Sequence, residues 1–318
     1  MLPVWLWLKI RKKWKPAYQK SLVTLRNKAA DPDKRAALNK WYNGMSTGEK
    51  SLFHRLYGRL FQNTTADIRE GEWDAEFAGK IIKMPLRNSN LWLDWDLALA
   101  ITGHDSEVKE TYANLVRQGK LKVVFDLGAN YGTHSLLFLV HGFKTVSFEP
   151  IPGLKKDFDY LCKLNHVTGQ MENVAVGDKS GTTTLTIPVN ETWNSVISVN
   201  DNSVVTGNSA FEKIQVPFIT IDEYVAQTGL QPGFMKIDTE GYEINVLKGA
   251  LHTIKEMRPL IIFETNKFQE RKILWDFFTE VNYVIQELPY HPEQRLKKFS
   301  FELFSKKGST NYIAVPLK

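Results

Sequence analysis

The 318-residue chain predicts an α/β protein, a helix-wound parallel sheet from about residue 106 behind a mostly helical N-terminal extension. Three observations carry this reading. From Lys122 onward, short apolar runs alternate with helix-length amphipathic segments, as in a wound parallel sheet. The first run, Val123–Leu127, ends in a glycine turn that opens a helix. The first hundred residues are instead rich in helix formers, broken at Pro16, Asp31-Pro32, Asn43-Gly44 and Gly48. The chain therefore divides into an arm (1–20), an extension (21–105) and a main domain (106–318).

Each element has a local cause. Ser46 ahead of Thr47, Gly48 and Glu49 marks a helix start, followed by the apolar stripe Leu52, Phe53, Leu56, Tyr57 and Leu60. Residues 81–87 suit a short strand. Trp92, Leu93, Trp95, Leu97 and Leu99 are too dense for a surface, and a helix follows over 106–118. The sheet strands are then 123–127, 145–148, 171–176, 234–237 and 260–264, with 283–288 and 312–315 closing it as a hairpin. Helices fill 153–164, 242–250 and 269–281, and one more runs from the glycine turn to Leu139. Two extra strands, 182–189 and 214–219, flank a polar loop. Right-handed crossovers place helices on both faces and ligands at the C-terminal strand ends.

Charge and cysteine content bound the function. The chain holds 41 Lys and Arg against 35 Asp and Glu. Lys9, Arg11, Lys12, Lys13, Lys15 and Lys20 lie in residues 1–20 with no acid, which leaves 35 of each sign in the rest. The body thus lacks the basic face of a nucleic-acid enzyme. Cys162, the single cysteine, can form neither an internal disulfide nor a cysteine zinc site, so a reducing, cytoplasmic setting is expected. The apolar run before Lys9 is far shorter than the roughly 20 residues that span a bilayer. It also lacks the pattern of a secretory signal. Trp5, Trp7 and Trp14 among the lysines suit a peripheral membrane contact through residues 1–15; packing on the domain or on a partner subunit is the alternative. Nothing in the sequence sets an oligomeric state.

The turn Asp126-Leu-Gly128-Ala-Asn130-Tyr-Gly132-Thr-His134-Ser is the candidate cofactor site. Gly128 and Gly132 permit positive φ and close ligand approach. The third glycine of a dinucleotide fingerprint is missing, and Asp126 at the strand end would repel a pyrophosphate. It suits the ammonium of a zwitterion such as S-adenosylmethionine, whose carboxylate can use backbone N–H groups of the turn. Glu149, 21 residues after Gly128, ends the second strand where an acid accepts ribose hydroxyls. The third strand brings 173–178, with Ala175, beside the base. Alternatively Asp126 and Asn130 only cap the turn, and Glu149 is a surface acid.

These blocks, with Asn-Val-Ala175-Val-Gly-Asp178, Met-Lys236-Ile-Asp238-Thr-Glu240-Gly241-Tyr-Glu-Ile-Asn-Val-Leu-Lys-Gly-Ala and Ile-Ile-Phe-Glu264, resemble the FkbM-type methyltransferases. The resemblance runs from about Ser106 to Lys318. It implies a Rossmann-like, class I methyltransferase sheet of seven strands, S-adenosylmethionine as donor, and usually O-methylation, often of sugars or polyketide-like products.

The transferred methyl would sit over the first and fourth strands. Lys236 and Asp238 share one face of the fourth strand. Asp238 would orient or deprotonate an acceptor hydroxyl; alternatively Lys236 with Asp238 or Glu240 is a structural ion pair. Glu240 is also placed to cap the next helix. Asp238, Glu240 and Glu264 could converge on a divalent metal, which is possible without being favoured. His134 is the best-placed histidine for a base, or packs beside the cofactor, and His104 could belong to a lid. The polar loop 188–217, with Trp193 and Asn194, suits a carbohydrate acceptor. The expectation is a cytoplasmic O-methyltransferase acting on a sugar, glycan or small hydroxylated metabolite, with no nucleic acid as partner. The alternatives are an NAD-dependent oxidoreductase and a non-enzymatic, membrane-associated binding module.

Overall fold

A computed structural model describes residues 4–65, 67–188, 196–197, 211–265, 268–306 and 308–317. The chain folds as two compact units, 1–106 and 107–318.

The first unit contains helices α1 (Val4–Ala30), α2 (Pro32–Asn43), α3 (Thr47–Tyr57) and α4 (Leu91–Gly103), with a hairpin of β1 (Gly71–Phe77) and β2 (Lys80–Leu86). Its ends are set locally. Asp31 accepts the Lys34 N–H at the start of α2, and Ser46 with Glu49 forms a reciprocal capping box on α3. Strand β2 lies where residues 81–87 predict it. Its partner β1 was not predicted, although Trp73, Ala75 and Phe77 alternate with Glu72, Asp74 and Glu76 as in a half-buried strand. Two asparagines one helical turn apart cover the free edge of β1. Asn39 exchanges hydrogen bonds with the Asp74 backbone, and Asn43 bonds Asp74 O (2.8 Å) and Glu76 N (2.9 Å). The dense apolar stretch becomes α4, whose Trp95 packs edge-on against Trp73 in the core, with centroids 5.2 Å apart. Helix α1 continues unbroken through Pro16. No helix among the described residues is long and apolar enough to cross a membrane.

The second unit begins with α5 (Ser106–Gln118) and follows with β3 (Val123–Leu127), α6 (Thr133–Leu139), β4 (Lys144–Phe148), α7 (Leu154–Leu164) and β5 (Gln170–Glu172). Strands β6 (Ala175–Val176), β7 (Gly181–Pro188), β8 (Val196–Ile197) and β9 (Phe211–Ile219) come next. The chain then runs α8 (Ile221–Thr228), β10 (Phe234–Ile237), α9 (Glu243–Lys248), α10 (Leu251–Met257), β11 (Leu260–Glu264) and α11 (Phe268–Glu280). It ends with β12 (Tyr283–Glu287), α12 (Phe301–Lys306) and β13 (Asn311–Pro316). Seven strands form one sheet in the order β12-β13-β11-β10-β3-β4-β5, with β13 antiparallel to both neighbours and the rest parallel. This is the expected Rossmann-like, seven-stranded class I methyltransferase sheet.

Two details of the seven-stranded sheet differ from the sequence expectation. The third strand breaks at Asn173: β5 stays in the large sheet, and β6 joins a second sheet of order β6-β9-β7-β8. The final pair is antiparallel, yet α12 is inserted between its strands. The central strands are buried on both faces, and Phe125, Leu127, Met235, Ile237, Ile261 and Phe263 lie in a single core.

Candidate active site

Strand order reverses between β3 and β10, because the chain leaves β3 for β4 and β5 on one side and later adds β10 and β11 on the other. Such a switch point opens a crevice beyond the strand C-termini. Both candidate blocks end there.

The turn after β3 is pressed onto the end of β10. Gly128 has φ +80°, and a Cβ built on it would lie 1.8 Å from the Asp238 carbonyl oxygen. Gly132, at φ +71°, starts α6 against the Phe158 ring, which a Cβ would meet at 2.1 Å. Asn130 also holds positive φ, 51°, and its Oδ1 is buried with no hydrogen-bond partner. Glu149 is buried, and its two carboxylate oxygens receive the N–H groups of Asn130 (2.9 Å) and Ile151 (3.0 Å). Burial pushes its pKa up. Each oxygen keeps a lone-pair direction for a further donor.

Asp126 lies beneath the turn rather than on it. It is 1% exposed, takes a hydrogen bond from Ser135 Oγ (2.7 Å), and has its other oxygen 3.8 Å from Lys236 Nζ. The strand register explains this: Ser147, Asp126 and Lys236 are neighbours across β4, β3 and β10. Its nearest cation is thus internal. Ala175 is packed in the small sheet with Leu185, Val216 and Phe218. Trp193 and Asn194 lie outside the described residues.

At the end of β10, Lys236 Nζ donates to Asp238 Oδ2 at 2.9 Å, so the ion pair of the alternative reading is present. Asp238 also shares a hydrogen bond with Glu264, at the end of the adjacent strand β11. Burial and the charge of Asp238 push the Glu264 carboxyl up to about 8, and the same two causes push Glu240 up to about 7. Glu240 does not cap α9. Glu243 turns back instead and accepts the N–H groups of Thr239 (2.8 Å) and Gly241 (3.1 Å), while Glu240 stands at φ +54° in the loop. The sequence reading missed Glu243 because it assigned the acid nearest Gly241 to the cap.

His134 bridges α6 to α5. Its Nε2 lies 2.7 Å from Lys109 Nζ and its Nδ1 lies 3.0 Å from the Tyr112 hydroxyl. Any proton transfer through this ring has to break one of these contacts. Lys109 was also missed; its signal is a lysine three residues before Tyr112 on the inner face of α5. Among the described residues, no three His, Cys, Asp or Glu side chains form a group that could hold a metal ion.

The sequence profile described as the Methyltransferase FkbM domain matches residues 126–292, just over half of the chain. The chain belongs to the FkbM methyltransferase family. The FkbM match begins at Asp126 and takes in Glu149, the β10 block and Glu264. No curated protein matches the chain. Among solved structures, methyltransferase FkbM from Methylobacillus flagellatus KT is 15% identical over 70% of this chain and 54% of its own, with a TM-score of 0.38. A SAM-dependent methyltransferase from Streptococcus mutans is 13% identical over 78% and 56%, with a TM-score of 0.41. The T. thermophilus 16S rRNA N2 G1207 methyltransferase, solved with AdoMet and guanosine, is 9% identical over 80% and 52%, with a TM-score of 0.39. The chain spans about half the length of each.

FkbM membership implies S-adenosylmethionine as cofactor, and the turn fits one. The bare backbone at Gly128 and Gly132, the unpartnered Asn130 Oδ1 and the anchored Glu149 carboxylate provide close approach and polar partners for a nucleoside with an amino-acid tail. Glu149→Ala is expected to weaken S-adenosylhomocysteine binding by about 1.5–3 kcal/mol, the range for a hydrogen bond to a charged group. Isothermal calorimetry checks this; unchanged affinity would place the ribose elsewhere.

Proposed function

We propose that this protein transfers the methyl group of S-adenosylmethionine to a hydroxyl of a sugar, glycan or related metabolite, in the cytoplasm and beside a membrane. The contact between Gly128 and the Asp238 carbonyl carries the reading, because it joins the cofactor turn to a cluster of titratable carboxylates. When bound, S-adenosylmethionine supplies an electrophilic methyl group.

The chain's own residues have two tasks: holding the acceptor in line and taking its proton. Asp238 is fixed by Lys236 and is one-third exposed, so it can face an acceptor. The neighbouring carboxyls are placed to take the proton. Glu240 and Glu264 have pKa values near the working pH, where a base combines availability with strength. An alcohol needs such a base. The polar loop between β7 and β9, with Trp193 and Asn194, belongs to the acceptor side in this reading. The evenly charged body disfavours a nucleic-acid acceptor, and the missing third glycine disfavours a nicotinamide cofactor.

The test uses methyl-labelled S-adenosylmethionine with a panel of nucleotide sugars and lipid-linked glycans. The expected product is a methyl ether, whose label survives mild alkali. Label released by alkali, label recovered in RNA, or binding of NAD without S-adenosylhomocysteine would overturn the proposal. Asp238→Asn is expected to keep S-adenosylhomocysteine binding while lowering turnover about 100-fold or more. Loss of folding in that variant would make the ion pair purely structural. Because Glu264 holds its proton up to about pH 8, wild-type activity is expected to rise as pH increases through 7 to 8. Glu264→Gln, which cannot release that proton, is expected to flatten the rise.

A further inference from the structure

The apolar stripe that begins in α3 is only partly buried. Phe53 is buried and Tyr57 packs on Tyr18, whereas Leu52 is 49% and Leu56 38% exposed. Arg55 and Arg59 are exposed as well. Leu52, Arg55 and Leu56 follow the i, i+3, i+4 spacing and line one side of α3, and Arg59 lies in the turn just past its last residue, Tyr57. Two exposed leucines alternating with two exposed arginines are neither a core face nor an ordinary solvated one.

This stripe adjoins α1. Tyr18 donates to Leu56 O (2.6 Å), Tyr57 to Ser21 Oγ (3.2 Å) and Arg26 to Leu60 O (2.9 Å), so residues 18–26 of α1 meet the C-terminal end of α3 and the turn after it. Tyr18 is itself 37% exposed. The backbone of α1 is helical from Val4, and residues 1–20 carry six cations, three tryptophans and no acid.

We infer that the side of this unit carrying Tyr18, Leu52, Arg55, Leu56 and Arg59 docks on an anionic lipid surface, its leucines and tyrosine entering the headgroup boundary and its arginines pairing with lipid phosphate. Charge complementarity favours this occupant. The positive excess of the chain is confined to α1, whereas a nucleic-acid partner would call for a basic body. The inference deepens the membrane setting proposed above but does not depend on methyl transfer, because binding is read without an acceptor.

The full chain is centrifuged with vesicles of phosphatidylcholine alone or mixed with phosphatidylglycerol. It should sediment with the mixed vesicles only, and added salt should weaken the binding. Arg55→Gln/Arg59→Gln should lower partitioning about tenfold or more, from the contribution of each cation near such a surface. Leu52→Ser/Leu56→Ser should reduce it comparably. Both pairs are exposed, and unchanged S-adenosylhomocysteine binding would verify that the main domain is intact. Equal sedimentation with neutral vesicles, or no effect of either double variant, overturns the proposal. So does a concentration-dependent dimer that only Leu52→Ser/Leu56→Ser disrupts, because the face is then an interface between copies. If vesicle binding holds but no methyl ether forms, the surface stands and the catalytic reading falls.

Discussion

Gly128→Ala is expected to destabilise the protein by about 2–5 kcal/mol and to abolish S-adenosylhomocysteine binding. Two costs add. A non-glycine residue in left-handed backbone costs about 1–2 kcal/mol. Forcing a methyl into packed surroundings costs about 1–3 kcal/mol more. The methyl would fall 1.8 Å from the Asp238 carbonyl oxygen, and none of the surrounding backbone is free to yield. Asp238 N–H is bonded to Leu127 O at 3.0 Å, and the N–H groups of Gly128 and Ala129 both reach Phe148 O at 3.0 Å. Relief therefore requires β3, β4 and β10 to separate where the cofactor must bind. Gly142→Ala is the control. Its φ is similar, +82°, but no atom lies within 4 Å of the added Cβ, so only the conformational cost applies. Urea denaturation of both variants isolates the clash. A difference below about 1 kcal/mol would mean that the close approach does not constrain the site.

Legibility followed the range of the interactions. Strands β3, β10 and β11 were readable because central parallel strands are apolar on both faces, which leaves a continuous run in the sequence. Helix α5 was readable from its own period. Strand β1 has its own alternating period and was overlooked, whereas the cover that Asn39 and Asn43 give its edge comes from a different element and has no local mark. The break at Asn173 has a local mark, because Glu172 and Asn173 interrupt the apolar run from Met171 to Val176, but only the second sheet pulls Ala175 away. In the site, the glycine turn and the Lys236-Asp238 pair followed from local spacing. The engagement of His134 by Lys109 and Tyr112, and the turning back of Glu243, depend on tertiary contacts that no spacing announces. The same holds for Leu52 and Leu56. Their period marks an apolar stripe without saying whether this chain covers it.

Lys236→Met tests whether the ion network beneath the site is essential to the fold. Lys236 is 7% exposed and is the cation between Asp126, at 3.8 Å, and Asp238, at 2.9 Å. Methionine fills a similar volume but leaves the buried Asp126 charge without its nearest cation. Removing one partner of a buried pair costs about 3–5 kcal/mol, because the remaining charge stays desolvated. Asp238 contributes less to that cost, since its side chain is one-third exposed and water can solvate it. The expected loss at neutral pH is therefore dominated by Asp126. Adding Asp126→Asn should recover much of it, and the double-mutant cycle should give a large coupling between the two positions. A loss near zero at neutral pH would mean that Ser135 alone, through its 2.7 Å hydrogen bond, satisfies the carboxylate.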